Sequence, residues 1–332
     1  MFRIQTVTDI GECRDLWKKL MPGELVSDLW EVRACFHDHY NHSPRFVVAA
    51  EDGRVVGFLP LSWNEDISQY NYFPGETWEG KTWLEQNRII ADSSAILYTM
   101  LASLDGPYQL RYLRKEGCWS GPDELVDEVG YLFIPATYGY DVDRYFEAFS
   151  HKTAKKLQKE LAAWNHHTVE WRIDQSTDFE SLCEMNRSRF GRLSYFCDER
   201  FLESFRSLMH LLRNRNLLRM VTVIVDGEPA AVDMGSLYNG MLTMLAGGTD
   251  ERFRGIAKLI NMYHITYACE EKLDSVDFLC GDFNWKPLFH LTPAPLYKIE
   301  GDGRSVTREK VHLPIYSSPT VWWQGIRGAP HV

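Results

Sequence analysis

The chain predicts a mixed α/β protein built from two copies of one fold, and three observations predict it. Segments with apolar residues at helical spacing alternate with short apolar runs bounded by turn residues. A hairpin around Asp52, Gly53, Arg54, Val55, Val56 and Gly57 is echoed by Asp226, Gly227, Glu228, Pro229, Ala230 and Ala231, each time after two helical segments. With 332 residues, 45% hydrophobic and 25% charged, the chain has room for two domains that each bury a core.

The first half opens with a strand at Phe2 to Thr6 and a helix carrying Ile10, Cys13, Trp17 and Leu20 on one face. A second helix is expected near Asp28 to Phe36, then a hairpin of Phe46 to Ala50 and Val55 to Leu61. A helix from Ser93 to Leu104 and strands at Tyr108 to Leu113 and Tyr131 to Pro135 complete the unit. One connecting helix follows, from Val142 to about Trp164, with Val142, Tyr145, Phe146, Phe149, Leu157 and Leu161 on its apolar stripe. Lys152, Lys155, Lys156 and Lys159 gather on another face, either solvated or meeting an acidic ligand or a polyanion. In the second half Thr177 and Glu180 form a capping box for a helix ending near Arg189, and Asp198 caps a helix with Phe201, Phe205, Leu208 and Leu212 on one stripe. Strands at Arg219 to Val225 and Ala230 to Leu237 flank the Asp226-Gly227 turn. The resulting boundaries are 1–140, a basic connector at 141–170, 171–310, and a tail at 311–332.

The most informative segment is Arg252, Phe253, Arg254, Gly255, Ile256, Ala257, an R-x-x-G-x-A turn. It lies between an apolar strand, Met241 to Ala246, and a helix with Leu259, Ile260, Tyr263 and Tyr267 at helical spacing, linked through Gly247, Gly248, Thr249 and Asp250. Backbone N–H groups converge where a helix begins, so an anion there accepts them together with the helix's positive end. Gly255 lets a diphosphate approach the backbone, while Arg252, Arg254 and Lys258 add charged donors. The bland alternative is a surface turn with a solvated basic cluster. Walker and dinucleotide glycine signatures are absent from the sequence.

Composition narrows the function classes. A net charge of −10 and a pI near 5.6 argue against an extended nucleic-acid-binding face, since that binding rests on neutralising phosphates. No apolar run is long enough for a transmembrane helix, and Met1 to Ile10 lacks a signal core, so a cytoplasmic location is expected. Cys13, Cys35, Cys118, Cys183, Cys197, Cys269 and Cys280 show no CxxC pair and read as reduced, mostly buried thiols, with Cys280 either a nucleophile or a small hydrophobe. His37, Asp38, His39 and His42 invite a metal reading that competes with a loop beside a substrate cleft; no metal is expected. Tyr70, Tyr72, Phe73, Trp78 and Trp83 line an acceptor pocket or join the core.

In this order of elements, with the R-x-x-G-x-A turn, the chain resembles the GNAT acyltransferase superfamily, whose members hold the pyrophosphate of acyl-coenzyme A on such a turn. Ser150, His151, Lys152, Thr153, Ala154, Lys155, Lys156, Leu157 and the later Gly281, Asp282, Phe283, Asn284, Trp285, Lys286 resemble its tandem branch. That branch includes cellulose-biosynthesis-type acetyltransferases and FemAB aminoacyl ligases. The resemblance extends over roughly residues 1 to 300 and implies two GNAT-like domains, each a mixed, mostly antiparallel sheet flanked by helices. It implies one acyl-coenzyme A site, in the second copy, because Tyr70 to Ile90 of the first contains no R-x-x-G-x-A; the first copy then serves as scaffold and acceptor wall. FemAB ligases carry a long helical arm and use a charged transfer RNA, whereas Thr177 to Arg213 is short for such an arm.

In the fold so resembled, the strands flanking the phosphate helix splay and admit the pantetheine arm, here Met241 to Ala246 and Val276 to Cys280. Met244, Leu245 and Ala246 would then offer backbone groups and Asn284 a side-chain amide to acetyl-CoA or another acyl-CoA. The acceptor implied is an amine of a small molecule or an envelope-precursor glycan. A lysine-like amine of pKa about 10.4 costs about 4.5 kcal/mol to deprotonate at neutral pH, so a positioned base is needed. Asp282 is either that base or a loop acid; Asp233 is either the base or the partner of an arginine inside a strand. Tyr297 and Lys286 either assist thiolate departure or pack with polar tips in water. A FemAB-like aminoacyl transferase and a non-catalytic binding module of the same fold are the competing readings.

Overall fold

The structure is a computed structural model and describes residues 2–79, 81–115, 125–281 and 285–303. Its first half runs β1 (Arg3–Val7), α1 (Ile10–Leu20), α2 (Trp30–Tyr40), β2 (Ser43–Glu51), β3 (Arg54–Asn64), β4 (Gln69–Tyr72), β5 (Ile90–Ala91), α3 (Ser94–Ala102), β6 (Tyr108–Leu113) and β7 (Leu125–Phe133). Two helices, α4 (Val142–Glu147) and α5 (His151–Ala162), connect it to the second half. There follow β8 (Val169–Ile173), α6 (Phe179–Phe190), α7 (Glu199–Asn214), β9 (Leu218–Val225), β10 (Glu228–Tyr238), β11 (Met241–Thr249), α8 (Ile256–Glu270), β12 (Ser275–Asp277), α9 (Trp285–Leu288) and β13 (Thr292–Gly301). Apart from β5 and α9, the second run repeats the first element for element.

All strands join one sheet, in the order β1-β2-β3-β4-β6-β13-β7-β12-β11-β10-β9-β8 with β5 on β3. Only β4 with β6 and β11 with β12 pair in parallel among the described strands, at equivalent places in the two copies. The halves exchange a strand: β13 lies between β6 and β7, and β7 lies between β13 and β12. A second seam is the aromatic cluster between α2 and α7, where Phe36 meets Phe201 and Phe205 at 5.8 and 5.9 Å. Trp83 packs on Phe205 at 4.6 Å and Trp78 on Phe201 at 5.2 Å, so these two tryptophans bridge the halves, while Tyr70, Tyr72 and Phe73 are buried in the first core.

Several local readings change. The connector is two helices, because Asp141 caps α4 and Ser150 caps α5 by accepting the N–H of Thr153, which starts a new helix instead of continuing the old one. The Thr177–Glu180 box does not form: α6 starts at Phe179, and Glu180 is taken by Arg206. Helix α2 runs on to Tyr40, ended by Asn41 in the left-handed region, and its imidazoles disperse. His39 bonds Ser207 at 3.0 Å and His42 bonds Glu65 at 2.9 Å, and no group of acids, cysteines and histidines among the described residues is arranged to hold an ion. Cys13, Cys35, Cys183 and Cys269 are buried free thiols, Cys197 is exposed and Cys280 half-buried; Cys118 and the tail lie outside the described residues. No described helix is long and apolar enough to cross a membrane.

Gly247 and Gly248 are strand rather than link, pairing with Asp233 and Val232 of β10. A Cβ at 247 would strike the Asp233 carboxylate, and one at 248 would lie 2.8 Å from the Leu182 carbonyl oxygen and 2.9 Å from Met185 Cβ of α6. Glycine is therefore required by the approach of helix to sheet. Gly248→Ala should cost about 1–3 kcal/mol by forcing α6 outward; denaturant melts showing no loss would contradict that packing.

Candidate active site

The site begins where two parallel strands part. β11 and β12 pair only as Met241 with Ser275, Leu242 with Val276 and Thr243 with Asp277. The next residue, Phe278, donates its N–H to Tyr131 of β7, so the chain has left β11 for the other side. From Met244 to Thr249, β11 keeps only β10 as a neighbour. The register slips by one between Met234 and Gly235, leaving Leu245 unmatched in a bulge that increases the local twist. Met244, Leu245 and Ala246 thus lie on an open strand edge whose backbone groups are available to a ligand. The expected strand from Val276 to Cys280 is cut to Ser275–Asp277 for the same reason: 278–280 are held elsewhere.

At the far end of that edge stands the R-x-x-G-x-A turn. Gly255 has φ +89°, caps α8, and a Cβ placed there meets nothing within 4 Å, so the turn is open to solvent. Internal bonds use the N–H groups of Arg252 (to Asp250 Oδ1), Phe253 (to Asp250 O), Ile256 (to Phe253 O) and Lys258 (to Gly255 O). The N–H groups of Arg254, Gly255 and Ala257 have no acceptor among the described residues. Three donors at a helix start remain for an anion. The basic side chains are less free than the sequence suggests. Arg252 pairs with Glu228 at 2.6 Å and Asp250 at 2.7 Å, and Lys258 with Glu160 of α5 at 2.5 Å, while Arg254 makes no such pair among the described residues.

The opposite end of the edge is closed by a buried polar group of side chains. Lys286, 2% exposed, donates from Nζ to the carbonyl oxygens of Phe278, Leu279 and Cys280 at 3.0, 2.8 and 2.8 Å. Its ammonium fixes the chain as it leaves β12, which is a structural task. Glu85, from the first half, accepts the Cys280 N–H at 2.8 Å. Neighbouring Gln86 donates to Asp277 Oδ2, and Asp277 Oδ1 accepts the Leu279 N–H at 2.7 Å. Glu76 anchors this segment, its buried Oε1 accepting from Thr82 Oγ1, Leu84 N and Trp83 N at 2.7, 2.7 and 3.1 Å. Burial pushes Glu85 up to about 8, the Asp277 and Glu128 carboxylates adding to it and the Cys280 donors opposing it. Asp277 is likewise raised by burial, to about 6. The Cys280 thiol is pushed far up by burial and by Glu85, which disfavours the thiolate a nucleophile needs.

Of the other sequence candidates, Asp233 pairs with buried His264 at 3.0 Å rather than with an arginine, because α8 packs on that face of β10 and brings an imidazole. Tyr297 sits on β13 between β6 and β7, against the first core, with Lys115 5.7 Å from its ring. Asp233 lies against Gly247 of β11, whereas Tyr297 makes no described contact with that strand. Asp282 and Asn284 lie outside the described residues. Glu85 escaped the sequence reading because its partner is 195 residues away and its segment has no periodicity.

Comparison with known proteins agrees with this geometry. Residues 149–287 match the acetyltransferase (GNAT) domain family, which spans α5 to α9 and includes the turn, the open edge and Lys286. The second half thus resembles a GNAT domain, and the chain as a whole has the fold of a tandem GNAT protein. Similar solved structures include a tandem GNAT protein from the clavulanic acid biosynthesis pathway, determined without AcCoA (TM-score 0.52, 11% identity, 92% of this chain and 100% of that one). FemX gives a TM-score of 0.54 at 11% identity over 89% of this chain and 96% of its own. L-PGS from Bacillus licheniformis gives 0.53 at 10% identity over 90% and 94%. No curated protein sequence matches the chain.

The raised carboxyls set a pH dependence. Glu85 and Asp277 keep protons in the fold that the unfolded chain releases near 4.5 and 3.8, so folding takes up protons in between. Stability therefore falls as pH rises from about 4 to about 8 through these two groups. Glu85→Gln should flatten that fall in melting temperature, and a variant whose melting temperature follows the parent's at every pH would contradict the assignment.

Proposed function

We propose that the protein moves an acyl group from an acyl-coenzyme A, acetyl-coenzyme A being the simplest, to the amine of a small molecule or an envelope-precursor glycan in the cytoplasm. The observation that carries this reading is the run of open backbone from the Arg254, Gly255 and Ala257 amides along β11 to the parting of the strands at Thr243. A diphosphate accepts the turn's donors, the pantetheine arm takes a strand's place on Met244, Leu245 and Ala246, and the thioester arrives where the two halves meet. There the ammonium of the acceptor gives a proton to a carboxylate, and its nitrogen attacks the thioester carbonyl carbon. The C–S bond then breaks, and the departing sulfur takes up the proton the new amide nitrogen loses. The chain's residues supply position and a proton acceptor; Lys286 holds the strand exit.

The folds of FemX and L-PGS favour a second reading, aminoacyl transfer of the FemAB kind. Against it stand the acidic surface and the short passage from α6 to α7, residues 191–198, which leaves no long helical arm among the described residues. Thiol release from acyl-coenzyme A on adding an amine supports the first reading, and dependence on aminoacyl-RNA the second. A protein that does neither is a binding module.

Gly255→Glu places bulk and negative charge at the turn's open face, where a Cβ meets nothing. It should weaken coenzyme A binding at least 100-fold in a calorimetric titration, with a melt shifted by only the strain of a left-handed side chain, about 1–2 kcal/mol. Unchanged affinity in the folded variant would refute the turn as the diphosphate site.

A further inference from the structure

The sheet ends at β1 on one side and at β8 on the other. Among the described strands β8 pairs only with β9, in an unbroken antiparallel register from Val169 opposite Val225 to Ile173 opposite Val221. Bonds just beyond its ends fix which backbone groups face inward: Asp226 donates its N–H to Thr168 O at 2.9 Å, and Asp174 donates to Met220 O at 2.7 Å. Antiparallel bonding alternates residue by residue, so Glu170 and Arg172 also turn their backbone groups to β9. Val169, Trp171 and Ile173 turn theirs outward, where they meet no partner among the described residues. Sheet edges are commonly guarded by proline, lysine or a bulge, and V-E-W-R-I has none of these.

The side chains of this edge divide cleanly by face. Val169, Trp171 and Ile173 lie on the α8 side, where Trp171, still 36% exposed, stacks on Tyr263 at 4.4 Å. Tyr263 stacks in turn with Tyr267 at 6.3 Å, and Arg219 lies over the Tyr267 ring at 4.1 Å. Glu170 and Arg172 lie on the opposite face. Arg172 holds Asp178 through Nε and Nη2 at 2.8 and 2.6 Å, which leaves its Nη1 without an acceptor among the described residues. Glu170 is exposed and has no ion-pair partner among them.

We propose that β8 is a self-association surface: two copies of the chain pair it antiparallel about a two-fold axis at Trp171 and join their sheets into one. The strand is complementary to itself in that register. Trp171 stands opposite Trp171 of the partner subunit, Val169 opposite Ile173 of the partner subunit, and Glu170 opposite Arg172 of the partner subunit. Outward-facing residues meet outward-facing residues, so the N–H and C=O groups left over by β9 bond one another across the axis. On one face apolar side chains meet, and the two aromatic stacks become continuous through the tryptophans. On the other, each Glu170 carboxylate meets an Arg172 whose Nη1 is unused. The neighbouring registers that keep the same backbone bonding set Glu170 against Glu170 or Arg172 against Arg172, so charge selects the central one. The far edge offers no such match. Pairing β1 about its centre, Gln5, would set Arg3 against Val7, and the Val7 carbonyl already accepts from the Cys13 thiol. Strands β9 and β10 separate β8 from β11, so the open edge of β11 stays free in the pair.

Sedimentation velocity of the full chain should show a monomer–dimer equilibrium with a dissociation constant of about 1–100 µM, as a small interface implies. Glu170→Arg sets like charges against each other twice and disturbs no bond within one copy, so it should weaken the dimer at least tenfold while leaving the melt of the dilute protein unchanged. Val169→Pro removes an outward N–H that β9 does not use and should weaken it to a similar degree. In amide exchange, Val169, Trp171 and Ile173 should be fast in dilute protein and slow in concentrated protein, with Glu170 and Arg172 slow in both. A chain that stays monomeric up to about 500 µM would overturn the surface, since a pair weaker than that is no specific interface. So would a dimer of parental strength in both variants, which would place association elsewhere. Outward amides already slow in the dilute monomer would overturn it too, because another segment of the same chain would then occupy the edge.

Discussion

The structure depends on the early separation of β11 from β12. Three residue pairs hold the strands together, and then Phe278 bonds to β7 while β11 continues alone to Thr249. A bare strand edge inside a sheet of this size has to be stabilised, because unpaired backbone groups are costly when buried. The stabilisation comes from groups far apart in the chain. Lys286 takes three carbonyl oxygens in the segment that turns away, and Glu85 takes an amide from the same segment. Both are buried polar side chains bonded to backbone dipoles, an arrangement that holds one geometry firmly and leaves few alternatives.

Duplication and strand exchange explain why a residue of the first half stands at a site of the second. The last strands, β7 and β13, cross between the copies, and the α2–α7 aromatic cluster closes the other seam. The first copy has its own parallel pair, β4 with β6, but no R-x-x-G-x-A turn follows β4. Instead residues 73–79 and 81–89 fold around the buried carboxylate of Glu76 and carry Trp83, Leu84 and Glu85 to the seam. The equivalent stretch of the second copy forms the R-x-x-G-x-A turn at the start of α8. One fold, with two uses of the same loop, yields a wall at the seam in one copy and an open glycine turn in the other.

Much of the fold was legible in the sequence, because helices and hairpins are local. The Asp-Gly turns, the Asp198 cap and the period of α7 and α8 each act within a few residues. The turn at Gly255 was legible for the same reason. The short strands β4 and β8 and the exchanged strand β13 were not, since their pairing partners decide them. Lys286 was visible as a cation near the site, but its task as a clamp on carbonyl oxygens comes from a fold that buries it. Glu85 and its place at the seam were invisible, since the Cys280 amide it accepts lies far along the chain.

The central claim, that coenzyme A lies along the exposed edge of β11 with its diphosphate on the turn, is tested most directly by backbone amide hydrogen exchange with and without coenzyme A. The account predicts new protection at Arg254, Gly255 and Ala257 and at amides between Met244 and Thr249, with little change at the β4–β6 pair. Protection confined to the first half, or none on the turn under saturating ligand, would contradict it.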